Sequence, residues 1–303
     1  MHKSGFCAKN ILNRPVFKIS KVYKNLHLKI QIQYVLDMKK NLAVLYVFHE
    51  YNDRVQHFLE NCIFYDQDID WFIISNNKSN VFSVPDYAKT IFRDNIGYDF
   101  GGWSDALIKY GLHDKYENYI FANSSIIGPF IPSYCKTKWT DIYLDGLKDN
   151  IKIFGSTINT SEIPLRESHV QSYIFAMDST TLKFLIDCDI FSISNYAKNF
   201  NEAICHKEIL MSLKIIENGG NIGSLHKYYE GVDFTFSSKK PSDYNIYFEN
   251  DIMKPHQRGV LWNEHELVFI KGNRIPLNLA SCSSTNNLDK NHMIDGNINI
   301  LCI

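Results

Sequence analysis

The chain has 303 residues, of which 45% are hydrophobic, 14% aromatic and 21% charged, a composition typical of a folded globular protein. These values exclude a disordered or collagen-like chain. The 32 lysine and arginine residues nearly balance the 33 acidic ones, and the resulting net charge of −1 argues against a nucleic-acid partner.

The longest apolar runs are too short to cross a bilayer. Residues 42–48 form one such run, whereas a membrane-spanning helix needs about 20 apolar residues, so we expect no transmembrane segment. Residues 1–13 contain no apolar core of the secretory kind. The seven cysteines are widely spaced, which favours thiols in a reducing compartment and predicts a cytoplasmic protein.

The predicted elements begin with two strands and a helix. Residues 26–34 alternate apolar and polar side chains, which predicts a half-buried edge strand or flap. The apolar run 41–48 predicts a first central strand that is covered on both faces. A helix opened by Asn52 or Asp53 follows, because apolar residues then recur at helical spacing. This apolar stripe consists of Val55, Phe58, Leu59, Cys62 and Ile63.

Strands and helices continue to alternate farther along the chain. Helices are predicted around an apolar face that includes Trp103 and over residues 201–218, where Gly219 ends the second helix. We predict an α/β fold with a mainly parallel sheet flanked by helices, whose ligand crevice lies at the carboxyl ends of the strands. The further strands are predicted at 71–74, 90–93, 119–122, 151–155 and 172–177.

The length fits about two domains of roughly 150 residues, and equally one α/β domain with tails. We predict the second arrangement, with an N-terminal extension at 1–40 and a single domain at 41–278. Residues 279–303 are expected to be a weakly ordered tail, because they offer little apolar surface to offset an ordering cost of ~1–2 kcal/mol per residue.

Two segments carry the most information about function. Residues 95–103 read Asn-Ile-Gly-Tyr-Asp-Phe-Gly-Gly-Trp, and residues 118–129 end in Asn-Ser-Ser-Ile-Ile-Gly-Pro. The glycines are expected to let the backbone approach a ligand closely. Asp99 is placed either to cap a helix or to accept hydrogen bonds from a sugar hydroxyl. The glycine spacing does not fit the dinucleotide-binding fingerprint.

Taken together, the two segments resemble glycosyltransferases of the GT-A type, and in particular the rhamnan-synthesis F family of polysaccharide-building proteins. Three further segments occur in the same order: residues 169–173 (His-Val-Gln-Ser-Tyr), 207–209 (Lys-Glu-Ile) and 269–271 (Phe-Ile-Lys). The resemblance covers roughly residues 40–275. It implies a GT-A, Rossmann-like form of the α/β fold and a role in polysaccharide synthesis.

The resemblance also implies a nucleotide-diphosphate sugar as donor and a saccharide as acceptor. The donor would bind between the loop after the first strand and the segment around Asp99. Donor-binding candidates are Phe48, Glu50, Asn95, Gly97, Asp99, Gly101, Gly102, Asn123, Arg258 and Lys271.

A divalent ion, Mn²⁺ or Mg²⁺, is implied at the end of the fourth strand, where the family carries an acidic triplet. The triplet here is Asn123-Ser124-Ser125, which supplies no carboxylate to a hard cation. Either an ion still binds, through Asn123, Ser125 and His256, or cationic side chains meet the charge of the departing diphosphate. The cations available for the second alternative, which we favour, are Lys254, Arg258 and Lys271.

An inverting transfer needs a base for the acceptor hydroxyl, and the resemblance marks Glu208 for this role. His169 and Glu167 are the second choices. Glu208 could equally be a solvated helix residue. A second hypothesis from another class is an inactive module that binds nucleotide sugars and has lost turnover with the acidic triplet. A nucleotidyltransferase fits poorly, because no glycine-rich phosphate loop is present.

Overall fold

A computed structural model describes residues 40–160, 168–244 and 263–272. The predicted edge strand at 26–34 and the tail at 279–303 lie outside the described residues, so the predicted domain limits stay predictions. Four candidate residues also lie outside them, namely Glu167, Lys254, His256 and Arg258.

Eleven strands are found in the described part of the chain. Seven of them form one sheet in the order β10-β6-β9-β4-β1-β2-β3, while β5 pairs with β11 and β7 pairs with β8. The strands are β1 (Lys40–Phe48), β2 (Ile69–Ser75), β3 (Ala88–Phe92), β4 (Tyr116–Asn123), β5 (Ile126–Ile127), β6 (Ile151–Gly155), β7 (Ile158–Asn159), β8 (His169–Val170), β9 (Ile174–Asp178), β10 (Asn221–Ser224) and β11 (Ile270–Lys271).

The seven-stranded sheet is mainly parallel, as the apolar runs predicted. β1 pairs in parallel with both β2 and β4, β2 with β3, and β6 with β10. β9 runs antiparallel between β4 and β6. The α/β arrangement with a mainly parallel, Rossmann-like sheet is therefore confirmed.

The helices pack on both faces of this sheet. Two of them are extended by π-helical turns: α2 continues through Asp105–Lys109, and Ile204–Ile209 joins α5 to α6. The helices are α1 (Asp53–Asn61), α2 (Tyr98–Ser104), α3 (Trp139–Asp145), α4 (Ser179–Asp187), α5 (Phe200–Ala203), α6 (Leu210–Glu217) and α7 (Glu264–Leu267). The predicted helix at 201–218 is thus one path with a π-helical interruption.

Two apolar cores follow from this layering. Trp103 of α2 packs with Phe121 and Phe175 on one face of the sheet, together with α4 and α6. On the other face, Tyr46 of β1 stacks on Phe58 of α1, and α3 joins the same core. Burying one large apolar side chain contributes roughly 1.5–3 kcal/mol, so β1, buried throughout 42–48, is a main anchor of the fold.

The helix caps agree with the sequence. The side chain of Asn52 accepts hydrogen bonds from the backbone N–H groups of Arg54 and Val55, so Asn52 rather than Asp53 caps α1. No helix among the described residues is both long enough and apolar enough to cross a membrane.

Candidate functional site

The strand order reverses at the centre of the sheet. β1 leads to β2 and β3 on one side, whereas β4 lies on its other side. In open α/β sheets the ligand crevice forms where the order reverses, at the carboxyl ends of the strands. Here those ends are Phe48 of β1 and Asn123 of β4. Because β9 is antiparallel, its first residues lie at the same edge, since Ile174 pairs with Ala122.

Asn123 connects the elements that meet at this crevice. Its side-chain Nδ2 donates to Oδ2 of Asp99 at 2.9 Å, and its Oδ1 accepts from the backbone N–H of Ser125 at 2.9 Å. Its backbone N–H donates to the carbonyl of Tyr173 at 3.0 Å. The two informative sequence segments are therefore joined by a direct hydrogen bond at the carboxyl ends of the strands.

Asp99 lies on the first turn of α2 with limited access to solvent. Burial raises the pKa of its carboxyl to about 6 from the usual 3.8. The hydrogen bond from Asn123 acts against this rise, the charge of Glu208 adds to it, and the charge of Lys271 acts against it. Asp99, Glu208 and Lys271 are thus close enough to interact. A carboxyl that titrates near neutral pH is common at functional sites.

Glu208 lies in the π-helical turn Ile204–Ile209. Its Oε1 accepts a hydrogen bond from the backbone N–H of Ser172 at 3.1 Å and lies 3.8 Å from Nε2 of His169. The neighbouring Lys207 points the other way and donates to the carbonyl of Asp189. The turn therefore directs Glu208 to the start of β9. No hydrogen bond to the second oxygen, Oε2, is found in the described part of the chain.

A buried arginine holds the loop that leads to Asp99. Arg93 follows β3, and its guanidinium donates to Asp105 Oδ2 at 2.8 Å, to Asn76 Oδ1 at 2.7 Å and to the carbonyl of Ile96 at 2.6 Å. The amide of Asn76 in turn donates to the carbonyl of Tyr98. These contacts fix the backbone on both sides of Gly97.

This network was missed by the sequence reasoning. A usable signal was present, because Asp105 interrupts the apolar face of the predicted helix between Trp103 and Ala106. A charged residue at such a position needs a partner. The sequence does not identify the cation that pairs with Asp105.

The glycines of the first segment have structural roles within the protein, and their contact with a ligand stays a prediction. Gly97 has a φ of +79°, a left-handed conformation that favours glycine. A Cβ at Gly101 would lie 2.0 Å from the carbonyl oxygen of Ile96, and one at Gly102 would lie 2.7 Å from Val47. The last two glycines are therefore explained by close packing of α2 within the protein.

The remaining candidates differ in their positions. The Phe48 side chain is fully buried among aromatic rings, which leaves it no surface to offer a ligand. Glu50 and Asn95 are exposed at the ends of β1 and β3. Lys271 is half-buried in β11, where it pairs with Ile126 just after the Asn-Ser-Ser turn. Asp99, Asn123, Ser125, His169, Glu208 and Lys271 thus come together around one crevice.

The described residues around this crevice lack the cluster of ligands that a Mn²⁺ or Mg²⁺ site needs, and the candidate ligand His256 lies outside them. Both amide atoms of Asn123 are engaged with protein groups, and the amide N–H₂ rather than the oxygen faces Asp99. Within residues 40–160, 168–244 and 263–272, no cluster of three His, Cys, Asp or Glu side chains could hold a metal ion. Hard cations require several oxygen ligands, and carboxylates bind them best.

Comparison with known proteins gives one family. The model of the rhamnan synthesis protein F family matches residues 71–256, which is more than half of the chain. The matched range includes Arg93, Asp99, Asn123, His169 and Glu208, and ends before Lys271. No curated protein matches the chain.

Proposed function

The chain belongs to the rhamnan synthesis protein F family, which acts in polysaccharide synthesis, and we propose that it is a glycosyltransferase. It would move a hexose or deoxyhexose from a nucleotide-diphosphate sugar to a saccharide acceptor. The observation that carries this proposal is the crevice itself. Two carboxylates, Asp99 and Glu208, and the ammonium of Lys271 lie near enough to influence one another's charge at the point where the strand order reverses.

The donor would lie across the carboxyl ends of β1 and β4. Glu50 and Asn95 are exposed on the loops there and can accept or donate hydrogen bonds to ribose or base. Asp99 sits deeper and can accept hydrogen bonds from hydroxyls of the transferred sugar. Arg93 contributes by holding the Asp99 loop, since a site that needs no rearrangement loses less free energy on binding.

Glu208 is the base in this proposal. The backbone N–H of Ser172 fixes Oε1, which leaves Oε2 to accept the proton of the acceptor hydroxyl. His169, next to Oε1, positions the carboxylate. The acceptor oxygen forms its bond to the anomeric carbon while the bond to the diphosphate breaks and its electron pair leaves with the diphosphate.

We also propose a cytoplasmic location, because the proposed donors are nucleotide sugars and the wide spacing of the cysteines favours reduced thiols. Cys188 and Cys205 are free thiols in the structure. Thiols of this kind fit a reducing compartment.

The test is release of nucleoside diphosphate from a panel of nucleotide sugars, with saccharide acceptors added. We expect release by the wild-type protein and a 10²- to 10⁴-fold lower rate for Glu208→Gln, the usual contribution of a general base. The thermal shift that the donor produces in Glu208→Gln should equal that of the wild type, because the variant still binds the donor. Glu217→Gln at the exposed end of α6, on the same helical path, is the matched control and should keep the wild-type rate.

One result would contradict the transferase function, and another would contradict only the choice of base. Binding of nucleotide sugars without release, across all donors and acceptors, would favour an inactive binding module. An unchanged rate for Glu208→Gln would remove this residue as the base while leaving the transferase assignment in place.

A further inference from the structure

Arg54 is a cation at the crevice that the sequence reasoning did not single out. It lies in the first turn of α1, and its Nε donates to the carbonyl oxygen of Ser124 at 2.9 Å. This bond uses one edge of the guanidinium. No other hydrogen bond or ion pair of the Arg54 side chain occurs within the described residues, and the residue is half-buried, so its two Nη groups are available to a ligand.

Lys271 lies on a strand that is attached to the same turn. β11 pairs with β5, and the backbone N–H of Gly272 donates to the carbonyl oxygen of Ser125 at 2.7 Å. The Lys271 ammonium acts on the carboxyl of Asp99 over a distance. In the part of the chain that the structure describes, the ammonium forms no ion pair within 4.0 Å.

The two cations are thus tied to neighbouring carbonyl groups of one turn. Arg54 is anchored through Ser124, and the backbone beside Lys271 is anchored through Ser125. This turn is the Asn123-Ser124-Ser125 triplet, whose side chains do not fit a divalent ion. The position where a metal would be expected is therefore flanked by the Arg54 guanidinium and by the strand that carries Lys271, and no described carboxylate forms an ion pair with either side chain.

We propose that Arg54 and Lys271 together bind the diphosphate of the donor and take the place of a divalent ion. The proposal rests on the glycosyltransferase function proposed above. The remaining edge of the Arg54 guanidinium can form paired hydrogen bonds to phosphate oxygens, and Lys271 adds a compact point charge. Both charges stabilise the diphosphate as it leaves with the electron pair of the broken bond.

The first experiment measures binding of inorganic pyrophosphate by calorimetry, with and without a chelator. We expect wild-type binding that the chelator does not change. Arg54→Gln should weaken it about 10- to 100-fold, because the variant keeps an N–H donor for Ser124 but loses the charge. Lys271→Gln should have an effect of similar size. Lys138→Gln should bind as the wild type does. Lys138 forms an ion pair with Asp66, which comes shortly before β2 and so lies at the amino-terminal ends of the parallel strands, away from the proposed site.

The second experiment follows nucleoside diphosphate release from the donor panel with the same variants. Arg54→Gln and Lys271→Gln should each lower the rate about 10²-fold or more, and chelator should leave the wild-type rate unchanged. Thermal unfolding checks that each variant is folded. Arg54→Lys keeps the positive charge and should therefore be faster than Arg54→Gln. This comparison distinguishes the loss of charge from a disturbance of the turn.

The outcomes separate this inference from the function on which it rests. Wild-type turnover that stops with chelator, or that survives in Arg54→Gln and Lys271→Gln, overturns the inference and leaves the transferase standing. Pyrophosphate binding that depends on both cations, without turnover of any donor, supports the cation pair and contradicts the transferase.

Discussion

Asp99 and Asp105 lie six residues apart on one helical path, yet their surroundings differ. Burial acts to raise the pKa of Asp105, but hydrogen bonds from Tyr196, Arg93 and Lys109 outweigh it, and the pKa is lowered. Burial also acts on Asp99, where the hydrogen bond from Asn123 and the charge of Lys271 do not outweigh it, and the pKa rises to about 6. A carboxylate with a full set of partners holds structure together, whereas one with few partners remains available to a ligand.

The largest expected effect comes from removing the partner of the structural carboxylate. Arg93→Met removes the arginine charge that pairs with the buried Asp105 carboxylate. It also removes the hydrogen bonds to the side chain of Asn76 and to the carbonyl of Ile96. We expect a loss of roughly 3 kcal/mol in the free energy of unfolding, measured by urea denaturation. The control is Lys78→Met, which breaks the exposed ion pair with Asp94 and should cost at most about 1 kcal/mol. Equal losses would mean that the buried network is not stabilising.

An effect of opposite sign, and at most of similar size, is expected at Asp99. The pKa of Asp99 is higher in the folded chain than in the unfolded one, so ionised Asp99 destabilises the fold. Asp99→Asn keeps an acceptor for the Asn123 amide and should raise the free energy of unfolding by up to about 3 kcal/mol above pH 6. Donor turnover should fall in the same variant.

The pH dependence makes this prediction specific. As pH rises from about 4 to 6, the wild type should lose stability relative to Asp99→Asn, and the difference should be constant above that window. Below about pH 4 both proteins should be equally stable, because Asp99 is protonated in the folded and unfolded states. A difference that persists at pH 3.5 would contradict the assigned cause.

The smallest effect concerns a single partner of Asp105. Tyr196→Phe removes the hydroxyl that donates to Asp105 Oδ1 and leaves Arg93 and Lys109 in place. We expect a loss of about 1 kcal/mol in urea denaturation, together with a higher pKa for Asp105. Tyr110→Phe, at an exposed tyrosine, should cost nothing measurable. If both variants behave alike, the tyrosine bond adds nothing to the arginine and lysine contacts.

The fold was largely predictable from the sequence, because buried strands and amphipathic helices have distinct periods. The run at 41–48 and the cap at Asn52 both appear in the structure. The antiparallel direction of β9 was not predictable, since burial on both faces leaves the same apolar pattern in either direction. The short strands β5 and β11 form through non-local pairing that two residues cannot encode.

The site was predictable in part. The segments around Asp99 and Asn123 carried a recognisable pattern, and Glu208 was marked by the resemblance. Arg54 and Arg93 were not found, because their roles depend on contacts with Ser124 and Asp105 that are distant in sequence. A single arginine in a helix or after a strand has no pattern that distinguishes it from a surface residue.

The π-helical turn before α6 has a consequence for how this chain tolerates change in length. A π-helical turn holds one residue more than an α-helical turn, and such insertions often lie at functional sites. The faces of α5 and α6 are therefore offset by about 100°, the angle that one residue adds. Deleting one residue from 204–209 would restore a regular helix and rotate either Glu208 or the buried Met211 and Ile215 out of place.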